Sequence, residues 1–81
     1  MDEVERIKLS ILDYWGYRCA LRECDRWVEH VHEIQTRGAG GDVSWTNSIP
    51  LCFEHHRQAH DGLISKEYLK QLLREGPIPE E

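Results

Sequence analysis

Apolar residues near the start of the chain recur at helical steps: Val4, Ile7, Ile11 and Trp15 stand three or four residues apart. That spacing predicts an amphipathic helix from about Glu3 to Tyr14, ended by Gly16. The period then changes. Between Trp27 and Ile34, alternation puts Val28, His30, His32 and Ile34 on one side and Trp27, Glu29, Val31 and Glu33 on the other, the pattern of a strand. The run Arg37-Gly38-Ala39-Gly40-Gly41-Asp42 reads as a loop. A short second strand is expected around Asn47 to Leu51, with Pro50 restricted to an edge or end. A helix should follow from Cys52 or Phe53 to about His60, stopped by Asp61-Gly62. Ser65 caps a last helix that runs to Glu75 and carries Tyr68, Leu69, Leu72 and Leu73 as its apolar stripe. Gly76-Pro77 terminates it, and the acidic tail P-I-P-E-E is expected to be loose. The fold class is therefore α+β, in one domain over residues 1–81. Its core covers about 17–62, with an N-terminal helix over about 3–15 and a C-terminal helix over about 65–75.

Length makes this domain marginal. A chain of 81 residues buries little apolar surface, and a bound metal is a common remedy. Trp15, Trp27 and Trp45 are assigned to the core. No apolar run approaches the length of a membrane span, and M-D-E-V-E-R lacks the basic start and apolar middle of a signal peptide. The formal net charge of −5 argues against a protein that coats nucleic acid by charge alone. The acid excess lies at the two ends, however. Between Gly16 and His60, five arginines (Arg18, Arg22, Arg26, Arg37 and Arg57) face six acids, and arginine is the side chain suited to bidentate phosphate contacts.

The chemistry is concentrated in cysteine and histidine. Cys19 and Cys24 enclose four residues, and Cys52 and His55 enclose two. Two close pairs from distant segments supply the four ligands of a tetrahedral structural Zn²⁺, with no position left for water. A Cys19–Cys24 disulfide would instead strand Cys52. Thiolates committed to zinc fit a reducing cytoplasm. On the second helix His56 lies about 100° round from His55, so one ion cannot take both. His56 and His60 share a face at i and i+4 and can hold a second ion. His32, facing them from the strand, can activate water or bind that ion, and the Asn47 amide can orient the His32 ring or join the coordination.

The run H-x14-N-x8-H-x3-H, made by His32, Asn47, His56 and His60, resembles the HNH endonucleases of the ββα-metal fold. The segments VHEIQTRGAGG and NSIPLCFEHH are similar to that family's strand, glycine loop, asparagine strand and metal-binding helix. The two zinc pairs resemble its zinc-stapled subset, with His55 where a fourth cysteine is commoner. The resemblance covers about Cys19 to Asp61. It implies a metal-dependent DNA endonuclease or nickase that hydrolyses phosphodiester bonds with one divalent ion (Mg²⁺, Mn²⁺, Ni²⁺ or Zn²⁺) and a histidine general base. By position His32 is the base, Asn47 fixes its ring, His56 and His60 bind the ion, and Arg37 or Arg57 steadies phosphate. Many members carry a doublet of two active-site residues, where this chain has His32-Glu33. In that register His32 is the metal ligand and Glu33 stands in the place of the base. The expected partner is DNA, bound without sequence preference, with a larger protein complex supplying any targeting, in the cytoplasm of a bacterial or phage-infected cell. The alternative is a catalytically weakened, zinc-stapled module that binds nucleic acid or protein on the same fold.

Overall fold

A computed structural model of the chain describes residues 2–77, with the side chain of Arg37 outside the description. Residues 78–81 of the expected acidic tail lie outside the described residues. In chain order the elements are α1 (Glu3–Tyr14), β1 (Val31–Glu33), a single 3₁₀ turn (Arg37–Ala39), β2 (Ser48–Pro50), α2 (Phe53–His60) and α3 (Lys66–Glu75).

Each helix starts and stops for a local reason. Asp2 caps α1 by accepting from the Glu5 amide at 2.8 Å, and acidic Glu3 and Glu5 complement the positive end of the helix dipole. Gly16, at φ 70°, takes the left-handed conformation that reverses the chain. The Gly16 amide then bonds to the Asp13 carbonyl and the Tyr17 amide to the Leu12 carbonyl, which satisfies the last turn. Ser65 caps α3 by accepting from the Tyr68 amide at 3.1 Å.

β1 and β2 pair antiparallel, with His32 opposite Ile49. The expected eight-residue strand is corrected to three residues, because its first half has a different partner. Residues 26–28 pair back on residues 17–19, through Cys19 N to Arg26 O, Val28 N to Tyr17 O and a bridge between Arg18 and Trp27. The predicted faces survive on the inner side, where Val28, His32 and Ile34 are buried, whereas His30 is exposed. Pro50 ends β2 opposite Val31, and its carbonyl accepts from the Ala20 amide.

One face of α1 covers the hairpin. Ile11, Leu12 and Trp15 join Val28, Ile34, Ile49, Leu51, Leu69 and Leu72 in one buried cluster. At ~25 cal/mol per Å² such a cluster stabilises the fold only modestly in a chain this short. The placement of the tryptophans is corrected. Trp15 is core, but Trp27 is 67% and Trp45 49% exposed. Trp27 stacks flat on Tyr17, with ring centroids 4.9 Å apart, and one face of that pair meets solvent. No helix among the described residues is long and apolar enough to cross a membrane.

Candidate metal centre

The reversal after α1 builds the first half of a cage. Pairing of 17–19 with 26–28 closes a knuckle around Cys19 and Cys24, tightened by the Cys24 amide donating to the Leu21 carbonyl. The bond from Ala20 N to Pro50 O ties the knuckle to the end of β2, two residues before Cys52. Cys52 takes the N-cap position of α2 without a side-chain bond to the helix, so its sulfur is available elsewhere. His55 is one turn on, at i+3.

The four ligand atoms of Cys19, Cys24, Cys52 and His55 all lie within 4.8 Å of one another. Cys24 Sγ is 3.9 Å from Cys52 Sγ, and His55 Nδ1 is 3.2 Å from Cys52 Sγ and 3.4 Å from Cys19 Sγ. A zinc tetrahedron with Zn–S of about 2.3 Å and Zn–N of about 2.0–2.1 Å has S···S edges of about 3.8 Å and S···N edges of about 3.5 Å. The cage therefore has the dimensions of a zinc site, and its three cysteines are free thiols. Burial pushes the Cys19 thiol up to about 12, and the neighbouring Cys52 charge and Cys24 side chain push the same way, against hydrogen bonds that lower it. A thiolate at this position needs a cation beside it. These four residues can hold a metal ion such as zinc.

His32, His56 and His60 form a second cluster whose ligand atoms also lie within 4.8 Å of one another. Ring centroids are 4.9 Å apart for His32 and His56, 5.4 Å for His32 and His60, and 4.7 Å for His56 and His60. The consecutive residues His55 and His56 thus serve different clusters, as their angular separation on α2 requires. His32 is buried and His60 exposed, so this cluster is open on one side, whereas the cysteine cage has no exposed member. Burial holds the His32 imidazole down to about 4, with the His56 and His60 charges adding to the effect. His56 is lowered by burial, then by His60 and His30. Both rings are neutral at pH 7, the form that binds a metal or accepts a proton.

The remaining expected site residues lie elsewhere. Glu33 follows His32 on β1, so alternation sends it to the opposite face, and it is not among the three converging residues. Asn47 is engaged with the loop backbone rather than with the His32 ring. Its Oδ1 accepts from the Gln35 amide at 2.9 Å, and its Nδ2 donates to the Gln35 carbonyl at 3.0 Å and the Asp42 carbonyl at 2.7 Å. Gly41 sits inside this clamp: a Cβ there would run into the Gln35 carbonyl and stand 3.0 Å from Asn47 Nδ2. Position 41 thus needs glycine for close approach. Arg57 is exposed on α2, one residue beyond His56, and the side chain of Arg37 lies outside the description. Sequence reasoning missed the roles of Gln35 and Asp42, since backbone acceptors leave no trace in residue type. Comparison with known family models, curated proteins and solved structures gives no match.

Proposed function

We propose that this protein is a metal-dependent DNA endonuclease or nickase of the HNH kind, hydrolysing phosphodiester bonds at the His32, His56 and His60 cluster. The observation that carries the reading is the convergence of these three imidazoles beside, but separate from, a closed cysteine-rich cage. One cluster has the composition of a staple and the other has the openness that a reacting group needs.

A divalent ion held by His56 and His60 would supply charge stabilisation for the phosphate and the leaving oxygen. The rest falls to the chain. His32, neutral and fixed in β1 opposite Ile49, receives the proton of an attacking water. Its ring is a weak base while buried among like imidazoles, and an anionic phosphate beside it raises its basicity again. Glu33, on the other face of β1, is poorly placed to take that proton, which favours His32 in the role of base. The Asn47 clamp keeps the glycine loop in a fixed path between the two strands. Arg57, exposed on α2, would steady the phosphate.

Supercoiled plasmid incubated with Mg²⁺, Mn²⁺ or Ni²⁺ tests the reading. The wild-type chain should produce nicked circles, and His32→Ala should lose about 10²–10⁴-fold in rate with unchanged circular dichroism and zinc content. Equal trace cleavage by both proteins would sink the hydrolase and leave the second reading, a zinc-stapled binding module. The net charge of −5 favours that module, because it weakens the protein's general hold on DNA.

A further inference from the structure

A cleft of about 290 Å³ lies away from both metal clusters, lined by Trp45, Thr46, Lys70, Leu73 and Arg74. Its two walls come from the loop before β2 and from α3. Trp45 is 49% exposed. Tyr14, at the end of α1, braces it edge to face, with centroids 5.7 Å apart and planes at 76°. That contact covers at most one face of the indole. Lys70 and Arg74 stand at i and i+4 on α3, hence on one side of the helix, and both are exposed. Neither makes an ion pair among the described residues. None of these groups is used by the chemistry proposed above.

We infer that this cleft is a nucleotide subsite, in which a base stacks on Trp45 while its phosphate lies between Lys70 and Arg74. An indole beside two cations that make no ion pair among the described residues matches a flat π-system joined to an anion, and stacking on an aromatic ring accepts any base. The volume falls just below the roughly 300–1,000 Å³ typical of small-ligand sites, so it admits no more than one ring and its phosphate. Paired bases in a duplex cannot offer their faces to an indole, and the site therefore selects unpaired nucleotides. The chain's negative net charge makes the selection sharper, because little general attraction competes with two local cations. This inference rests on the nucleic-acid reading and deepens it. It makes DNA with an unpaired segment the preferred substrate.

The test measures binding with no divalent ion added, in the zinc-loaded His32→Ala background, by fluorescence anisotropy of a short labelled oligothymidine strand. The single strand should bind about tenfold or more tighter than the same strand annealed to its complement. Trp45→Ala should weaken single-strand binding about tenfold, whereas Trp45→Phe should keep most of it. Because one phosphate lies between the two cations, Lys70→Ala and Arg74→Ala together should flatten the salt dependence by about 0.7 in the slope of log K against log salt. Competition by millimolar thymidine monophosphate would assign the site to free nucleotides as well as to strands, and its failure to compete would assign the site to strands alone. Wild-type affinity in a folded Trp45→Ala protein, or preference for duplex, would overturn the inference. Loss of affinity only in the Lys70 and Arg74 variant would reduce the cleft to a charge patch and overturn it too. Because binding is read apart from cleavage, inactive nuclease with Trp45-dependent binding would sink hydrolysis alone. Active nuclease indifferent to Trp45 would sink the cleft alone.

Discussion

Asn47 illustrates how one side chain positions a site without touching the chemistry. Its amide holds three backbone groups, two on Gln35 and one on Asp42, and so fixes both ends of the glycine loop against β2. These bonds are accessible to water, which can replace them in part. Asn47→Ala should therefore destabilise the chain by about 1–2 kcal/mol. The measurement is urea unfolding, with hydrogen exchange of the Gln35 amide as the local reporter. That amide should exchange faster by more than the loss of global stability alone allows. Unchanged exchange would mean that the loop is held by its own turns, such as the Gly41 amide bonded to the Thr36 carbonyl at 2.8 Å.

At the scale of elements, the notable tie is between the cysteine knuckle and the last helix. Arg22 donates to the Gly76 carbonyl at 3.0 Å and to Glu75 Oε1 at 2.9 Å, while Gln71 donates to Glu75 Oε2. The Arg22 hydrogen bond, followed by that from Gln71, holds the Glu75 carboxyl below its usual value of 4.5. A depressed carboxyl contributes stability above its unfolded pKa and loses it as pH falls through the folded one. The tie is thus present at neutral pH and disappears in acid. Arg22→Ala should move the Glu75 titration upward in an NMR pH series, toward 4.5. A titration that stays put would assign the shift to Gln71 and Arg74 instead. The pair is exposed, so its effect on stability is small and screened by salt. Its value is positional, since it joins α3 to a segment more than fifty residues away.

Over the whole molecule, the cage joins the end of α1, the knuckle, the end of β2 and the start of α2 around four ligands. In a chain this short, a metal held at the cage would couple its binding to folding. Chelation of zinc should abolish the helical circular dichroism signal and the cooperative melt. His55→Ala should lose metal at chelator concentrations that leave His56→Ala loaded, as read by metal analysis of the desalted protein. Equal loss from both variants would mean that the two imidazoles share one ion, against the geometry.

The sequence by itself determined the helices, their caps, the approximate places of the two strands and the members of both Cys/His clusters, because each depends on short spacings. Asp2, Gly16 and Ser65 act within their own turns, and the divergence of His55 from His56 follows from helical pitch alone. Tertiary structure decided what depends on partners distant in the chain. It divided the 27–34 segment between two pairings, left Trp27 and Trp45 exposed although their residue type suggests burial, and turned the Asn47 amide toward the loop. It also brought Lys70 and Arg74 against Trp45. Such outcomes follow from which surfaces pack first and which polar groups remain to be satisfied, and local periodicity carries no record of either.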